Sequence, residues 1–292
     1  MKIGFIGLGI MGSGMAARLI EAEFDLIVHN RGREKADRLL GVGATWAESP
    51  AAVGTQAEIL FTMLAHPEAV EVVALGEKGF FQTLKPNSLW VDCSTVNPSF
   101  SHRMAAEATK REIAFLDAPV AGSRKPAQEG TLTFFVGGDS ADIQRCQPLL
   151  DVMGSRTVHV GDHGMGTSLK MVFNMILAAN TAIFSEGLVL GRSLGLSLDF
   201  LFDLLLATPM VPPYMATKRE RITSGEFAPD FPLRLMHKDM HLATKTGYET
   251  GVALPVANAA KELYGLAASS GLGEQDFSAI FSFLEKADID RK

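Results

Sequence analysis

Apolar residues are arranged differently in the two halves of the chain. In the first half, short apolar runs predict strands at residues 2–6, 25–29, 58–64, 89–92, 113–116, 131–136 and 157–160. Amphipathic patterns between them predict helices at residues 10–21, 34–40 and 140–153. Strands that alternate with helices are typical of a parallel sheet covered on both faces. We therefore predict a doubly wound α/β domain over residues 1–162.

The second half lacks strand-like alternation and begins with one long apolar stretch. Residues 166–193 contain no proline and predict a helix roughly 40 Å long. Shorter helical patterns follow at residues 198–206, 214–223, 233–246, 255–269 and 277–283. We predict an all-α domain over residues 163–292. Because the long helix is apolar on nearly every side, we expect other domains or subunits to cover it.

Composition and charge narrow the class of protein. The 292 residues are 47% hydrophobic, which supplies a full apolar core. The formal net charge of −6 argues against nucleic-acid binding. Asn174, Asn180 and Glu186 interrupt the long apolar stretch, so we expect no membrane span. With two cysteines and no recognisable secretion signal in the first residues, we expect a cytoplasmic protein.

A glycine-rich turn follows the first predicted strand. Gly7, Gly9 and Gly12 form the pattern G-x-G-x-x-G, with Leu8, Ile10 and Met11 between them. The first glycine permits a tight turn, the second lets backbone approach a pyrophosphate, and the third lets helix and strand pack closely. The helix that begins here offers free N–H groups to the anion. The pattern predicts a Rossmann-type dinucleotide site, although a turn kept for packing has the same composition.

The end of the second predicted strand indicates which dinucleotide binds. Enzymes that prefer NAD usually place an acidic residue here to hold the ribose hydroxyls. This chain instead has the neutral Asn30, followed by the cations Arg31 and Arg33. A guanidinium can bind a 2′-phosphate through paired hydrogen bonds. We predict NADP(H) as the cofactor, and a solvated basic turn is the alternative.

The long apolar helix carries the candidate for acid catalysis. Lys170 and Asn174 are four residues apart, so both project from one face. Burying an ammonium is costly without a partner or a task, and desolvation lowers a lysine pKa toward the range of a general acid. The alternative is a lysine that extends to solvent. Spacing alone does not separate the two interpretations.

Three further segments carry polar groups that suit a ligand. Ser94 and Thr95 follow a predicted strand, at the sheet edge where α/β proteins bind ligands. The segment 117–123 also follows a strand, and its small residues would expose backbone N–H groups to a carboxylate. The pair Lys238–Asp239 is either part of the site or a solvated helical pair. We predict no metal site, because His237 and His241 lack further ligands.

Taken together, these motifs resemble those of the β-hydroxyacid dehydrogenase family. The resemblance runs nearly end to end, through four motifs in order: residues 7–16, residues 117–123, Gly164-Met165-Gly166 leading to Lys170 and Asn174, and Lys238-Asp239-Met240. Within the family, residues 122–127 and 231–233 look most like glyoxylate and succinic semialdehyde reductases. The resemblance implies a Rossmann domain, an all-α domain and a homodimer or homotetramer.

The resemblance also implies a role for each candidate residue. Lys170 would be the general acid, and Asn174 would orient the carbonyl. The substrate contacts would be Ser94, Thr95, Gly122, Ser123, Lys238 and Asp239. The cofactor contacts would be residues 7–12, Asn30, Arg31, Met63, Leu64, Thr95, Phe231 and Lys238, with the 2′-phosphate at Asn30 and Arg31.

The implied activity is NADPH-dependent reduction of small aldehydes that carry a carboxylate, such as glyoxylate and succinic semialdehyde. Oxidation of 3-hydroxyisobutyrate is the nearest alternative. An imine reductase is less favoured, because those enzymes usually lack the lysine. A non-catalytic NADP-binding module is also less favoured, because such proteins carry extra domains.

Overall fold

A computed structural model describes residues 1–289, and its chain forms two compact units, Met1–Lys170 and a second that begins at Met171. The first unit is built on one nine-stranded sheet. Its strands are β1 Lys2–Ile6, β2 Asp25–His29, β3 Thr45–Trp46, β4 Ile59–Thr62, β5 Leu89–Asp92, β6 Ala114–Asp117, β7 Val120–Ala121, β8 Leu132–Gly137 and β9 Gly154–Gly161. The strand order is β3-β2-β1-β4-β5-β6-β8-β7, and β9 pairs with β8.

Helices connect these strands. They are α1 Ile10–Glu21, α2 Asp37–Leu40, α3 Pro50–Gly54, α4 Pro67–Leu75, α5 Pro98–Thr109, α6 Arg124–Glu129 and α7 Ser140–Met153, with 3₁₀ turns at Arg33–Ala36 and Phe80–Gln82. Apolar clusters cover both faces of the sheet. Phe5, Phe61 and Phe134 belong to one cluster, and Leu60, Trp90 and Phe115 belong to the other. The doubly wound Rossmann architecture is therefore confirmed.

The sheet departs from the predicted parallel arrangement at one place. Strand β8 runs antiparallel to both β6 and β7, whereas the strands from β3 to β6 are parallel to their neighbours. Between β6 and β8 the chain holds only β7 and the six-residue helix α6, and it turns back beside the sheet instead of crossing it. Because β1, β4, β5 and β6 are parallel neighbours, their carboxyl ends meet at one edge of the sheet.

The second unit is helical. Helix α8, Met165–Ser193, begins in the first unit and continues into the second. It is followed by α9 Leu198–Leu206, α10 Arg219–Ser224, α11 Leu233–Thr250, α12 Pro255–Ala267 and α13 Ile280–Ile289, with 3₁₀ turns at Pro213–Lys218 and Phe277–Ala279 and a π turn at Ala268–Leu272. A core that includes Phe202, Met236 and Tyr264 lies among these helices. The predicted all-α region is confirmed.

Helix α8 is covered less completely than its composition suggests. Leu188 is fully buried in the core of the second unit, whereas Ile176, Ile183, Leu190 and Leu194 are more than half exposed. Those four residues recur at intervals of seven, seven and four along the chain, which places Ile176, Ile183 and Leu190 on one stripe of the helix and Leu194 one residue beyond its end. By length and composition alone the helix could cross a membrane, as core helices of soluble proteins also can.

Candidate active site

The glycine-rich turn between β1 and α1 has the shape that the sequence predicts. Gly7 has φ +103°, and a Cβ there would strike the Met63 carbonyl oxygen. A Cβ on Gly12 would strike the backbone of Gly7. Gly9 is different, because a Cβ there would meet no protein atom within 4 Å. The first and third glycines are thus required by packing, and the second borders open space at the N-terminus of α1.

Asn30 closes this turn from the end of β2. Its Oδ1 accepts a hydrogen bond from the Leu8 N–H at 3.0 Å, and its Nδ2 donates to the Gly32 carbonyl at 2.9 Å. Both ends of the amide are therefore engaged in shaping the loop. The exposed Arg31 has no ion-pair partner among residues 1–289, whereas Arg33 lies over the Trp46 ring and pairs with Glu48. Of the two arginines that follow β2, Arg31 is therefore the one without an ion-pair partner in the described residues.

A buried hydrogen-bond network joins the ends of β4 and β5. The Trp90 indole donates to Thr62 Oγ1 at 2.9 Å, and the Thr62 hydroxyl donates to Asp92 Oδ1 at 2.8 Å. Asp92 also accepts the Ser94 N–H, and Ser94 Oγ accepts the Leu64 N–H at 2.9 Å. Ser94 is therefore a buried link between two loops. The predicted contacts Met63, Leu64 and Thr95 are half-buried on these loops.

Burial is what perturbs the Asp92 carboxyl. Desolvation raises the pKa of Asp92 to about 6, and nearby Asp117 adds to the rise. Hydrogen bonds from Ser94 and Thr62 oppose it. Burial therefore outweighs these hydrogen bonds and holds the pKa of Asp92 above its ordinary 3.8.

The segment after β6 offers fewer free backbone groups than predicted. Val120 and Ala121 form β7 and pair with β8, so their backbone lies in the sheet ladder. Gly122, with φ +120°, turns the chain, and Ser123 precedes the first turn of α6. Ser123 is half-buried. Gly122 and Ser123 therefore lie between β7 and α6, outside the sheet ladder.

Lys170 is buried near the start of α8, with 6% of its surface exposed. The same first turns of the helix bond to Asp117 at the end of β6, through Gly164 and Thr167. Lys170 thus belongs to the same compact unit as the glycine-rich turn. Its burial removes the interpretation that it extends to solvent.

Asn174 lies one turn further along α8, in the second unit, and is held there by an acid. Its Nδ2 donates to Asp239 Oδ2 at 2.6 Å, and both residues are buried. Lys238 pairs with the other oxygen of Asp239 at 2.6 Å. Lys238–Asp239 is therefore not a solvated pair. Asn174 Oδ1 is buried without a hydrogen-bond partner in the described part of the chain.

Phe231 is held at the entrance to α11 by a buried carboxylate that the sequence analysis missed. Asp276 Oδ2 accepts the N–H groups of Asp230 and Phe231, and the Phe231 ring packs against Phe277. Asp276 Oδ1 accepts from Lys218 Nζ at 2.9 Å. Because 58 residues separate Lys218 from Asp276, no local pattern could have revealed the pair.

Comparison with known families matches this chain over nearly its whole length. Residues 2–161 match the NAD-binding domain of 6-phosphogluconate dehydrogenase. Residues 164–284 match the family described as NAD-binding of NADP-dependent 3-hydroxyisobutyrate dehydrogenase. The chain belongs to the β-hydroxyacid dehydrogenase family. A member of this family is an NAD(P)-dependent oxidoreductase, which agrees with the glycine-rich turn.

Individual relatives of this β-hydroxyacid dehydrogenase are similar along most of their length. Glyoxylate/succinic semialdehyde reductase 1 of Arabidopsis thaliana is 38% identical, covering 96% of this chain and 97% of its own. The chloroplastic reductase 2 of the same plant is 37% identical, covering 98% of this chain and 80% of its own. A solved structure of Mycobacterium tuberculosis 3-hydroxyisobutyrate dehydrogenase with L-serine is 30% identical, with a TM-score of 0.87 over 97% of this chain and 98% of its own.

Proposed function

We propose that this β-hydroxyacid dehydrogenase is an NADPH-dependent reductase of small aldehydes that carry a carboxylate, with glyoxylate and succinic semialdehyde as substrates. The observation that carries the proposal is the burial of Lys170 in the unit that also holds the glycine-rich turn. The plant reductases at 37% and 38% identity support this substrate class.

The glycine-rich turn fits a dinucleotide. Gly9 has no neighbour that a Cβ would strike, so a ligand rather than packing explains a glycine there. The N-terminus of α1 has no side-chain cap, and its backbone N–H groups are available to a pyrophosphate. NADPH, when bound, supplies the hydride that reduces the substrate carbon. Arg31 binds the 2′-phosphate, and Asn30 holds the loop in shape through Leu8.

Lys170 supplies the proton. Negative charge develops on the carbonyl oxygen of the aldehyde as its carbon is reduced, and an ammonium beside that oxygen stabilises the charge and then donates its proton. The interaction is stronger at a site that excludes water, and Lys170 is 6% exposed. In the reverse direction the neutral amine takes the proton back.

Asn174 and Ser123 orient the substrate. Because Asp239 accepts the amide N–H of Asn174, the amide oxygen is left to accept a hydrogen bond. We assign that bond to the hydroxyl of the alcohol form. Ser123 and the backbone at Gly122 hold the substrate carboxylate, and Met63, Leu64, Thr95, Phe231 and Lys238 contact the cofactor.

A second candidate is oxidation of 3-hydroxyisobutyrate. It is favoured by the Mycobacterium tuberculosis dehydrogenase structure, which is similar over 97% of this chain. The chemistry at Lys170 would be the same in reverse, so the two candidates differ only in the substrate that the pocket accepts. Both require a substrate with a carboxylate.

A substrate panel separates these candidates. The purified protein is assayed with NADPH and glyoxylate, succinic semialdehyde or methylmalonate semialdehyde, and with NADP⁺ and 3-hydroxyisobutyrate. The proposal predicts the highest kcat/KM for glyoxylate or succinic semialdehyde. A higher value for 3-hydroxyisobutyrate or methylmalonate semialdehyde would favour the second candidate, and no turnover of any of them would refute both.

A second copy of the chain is the partner that we assign to the exposed stripe of α8. The stripe consists of Ile176, Ile183 and Leu190, with Leu194 just past the helix end, and the exposed Glu186 and Arg192 lie on the same helix. Charges beside the stripe are costly in lipid but are easily paired or hydrated at the rim of a protein interface. Sedimentation should give a dimer or tetramer that Ile183→Glu dissociates. A wild-type monomer at micromolar concentration would contradict this assignment.

A further inference from the structure

We propose that Asp117 and Thr167 are positioning residues that fasten the start of α8 to the end of β6 and so fix the place of Lys170. The proposal rests on the proposed function, since it assigns these residues to the acid step. All three residues lie in the first compact unit.

Both oxygens of the Asp117 carboxylate are engaged by the start of the helix. Asp117 Oδ1 accepts the Gly164 N–H at 2.7 Å, and Oδ2 accepts the Thr167 N–H at 2.7 Å. The Thr167 hydroxyl donates a third bond to Oδ2, also at 2.7 Å. Ser101 Oγ lies 2.9 Å from that hydroxyl and can donate to it. A carboxylate from a strand thus satisfies backbone donors that a helix leaves unpaired at its start.

Close backbone packing supports these hydrogen bonds. A Cβ on Gly166 would strike the Phe135 and Asp117 carbonyl oxygens, and a Cβ on Gly137 would lie 2.6 Å from Asp117 Oδ1. Gly164 has φ +86°, and a Cβ there would lie 2.7 Å from the His102 ring. The first turn of α8 therefore lies directly on the ends of β6 and β8, with no side chain between them. Such contact leaves little room for the helix to slide or rotate.

Charge also favours this arrangement. Asp117 is 1% exposed, and burial raises its pKa, while bonds from Gly164 and Thr167 oppose the rise. In its ionised form the carboxylate lies at the positive end of the helix dipole, where an anion is stabilised. Burying the Asp117 carboxylate costs solvation free energy, which its three hydrogen bonds offset. The same three bonds hold the start of α8 in one position.

The hydrogen bonds from Gly164 and Thr167 to Asp117, called the anchor from here on, lie about one helical turn before Lys170. Thr167 precedes Lys170 by three residues, and residues at this spacing share one face of a helix. A shift of about 1 Å in a reacting group can cost about a hundredfold in rate. Loosening the anchor should therefore lower kcat, although neither Asp117 nor Thr167 needs to touch the substrate.

Three variants of one residue type test the proposal. Thr167→Val removes the hydroxyl at nearly constant volume, Thr167→Ser keeps it, and Thr181→Val makes the same change further along α8. Thr181 is a matched control because it is 1% exposed and its hydroxyl also donates within the protein. We expect Thr167→Val to lower kcat between about tenfold and a hundredfold. Its KM for NADPH should be unchanged, and Thr167→Ser and Thr181→Val should keep wild-type kcat.

Amide hydrogen exchange gives a readout that does not depend on activity. Asp117→Asn replaces one carboxylate oxygen by an NH2 group that cannot accept a hydrogen bond, so amide exchange should become faster at Gly164 or at Thr167, while α1 keeps its protection. Wild-type kcat in Thr167→Val, or an equal loss in Thr181→Val, would overturn the proposal, as would unchanged exchange in Asp117→Asn. A wild-type protein without activity on any substrate would refute the proposed function. The exchange rates at Gly164 and Thr167 would then decide by themselves whether Asp117 holds the start of α8.

Discussion

Two buried lysines, one in each unit, differ in what surrounds them. Lys170 and Lys218 are each 6% exposed. Lys218 Nζ lies 2.9 Å from Asp276 Oδ1 and 4.4 Å from the centre of the Phe277 ring. Asp276 accepts further bonds from the backbone N–H groups of Asp230, Phe231 and Ser278 and from the Ser278 hydroxyl. Lys218 is thus one member of a network that joins three segments of the second unit.

Lys170 belongs to a different setting. It follows a helix start that is fastened to the carboxyl edge of the sheet, where parallel α/β sheets bind ligands. Burial is the same for the two lysines, so burial alone does not identify a catalytic group. We therefore base the proposed acid role of Lys170 on the helix that carries it and on the sheet edge beside that helix, and not on burial alone.

Activity should separate the two lysines most strongly. We expect Lys170→Met to lower kcat by about 10²–10⁴-fold, because general acid assistance is typically of that size. Lys218→Met should keep kcat within about twofold at a temperature where the variant is folded. The reason is that Lys218 is not among the residues proposed to contact substrate or cofactor. Steady-state kinetics with NADPH and the best aldehyde measures both. Equal losses in the two variants would break the comparison.

Stability should separate them in the opposite sense. Lys218→Met should lower the free energy of unfolding by about 3–5 kcal/mol, because it leaves Asp276 buried without its cation. Burial raises the pKa of Asp276, but Lys218 and the Ser278 bonds outweigh it, so the net pKa lies below the ordinary 3.8. The stabilisation from ionised Asp276 is present above the unfolded pKa and is lost as pH falls below it. Urea unfolding of both variants checks this, and a larger loss for Lys170→Met would contradict it.

Asp92 should make the protein less stable as pH rises. Its folded pKa is about 6 against an ordinary 3.8, so the folded state holds its proton more tightly than the unfolded chain. Stability should therefore fall by up to about 3 kcal/mol between pH 4 and 6 and stay level above that range. Asp92→Asn keeps an oxygen that can accept from Thr62 and Ser94. The difference in free energy of unfolding between this variant and wild type should change over the same pH range. A difference that does not vary with pH would show that Asp92 does not titrate there.

The smallest expected effect concerns the two arginines after β2. Arg31→Ala should raise the KM for NADPH between about tenfold and a hundredfold and leave the KM for NADH nearly unchanged, because a charged hydrogen-bonded contact with a phosphate is lost. Arg33→Ala is the matched control and should change either KM by less than about threefold, because Arg33 pairs with Glu48 and lies over Trp46. Better use of NADH than NADPH by the wild-type protein would contradict the assignment.

The glycine-rich turn and most helices of this β-hydroxyacid dehydrogenase were predictable because their signals are local. Helix α1 and strands β1 and β2 have the predicted bounds, since apolar spacing and glycines fix them within a few residues. Short elements such as β3 and β7 were missed, because two residues carry no period. The antiparallel direction of β8 depends on how neighbouring strands meet, which no local pattern records.

The candidate site was predictable only in part. Lys170 and Asn174 were singled out from their spacing within one helix, and both are buried, but their catalytic roles stay predictions. The roles of Asp117 and Asp239 were not, because each depends on a partner about 50 or more residues away in the chain, Thr167 for Asp117 and Asn174 for Asp239. A clue for Asp117 was present in Gly164 and Gly166, since paired glycines at the start of a helix indicate close backbone contact. The predicted contact of Asn30 with the 2′-phosphate stays a prediction, and the structure adds that its amide bonds to Leu8 and Gly32, which the sequence did not indicate.

Chemical rescue tests the central claim most directly. Lys170→Ala is assayed with NADPH and the best aldehyde while methylammonium is added at constant ionic strength. The account predicts a strongly reduced kcat that rises with the amine concentration, with trimethylammonium less effective because it is too bulky to replace the missing side chain. Wild-type turnover by Lys170→Ala in the absence of any added amine would contradict it.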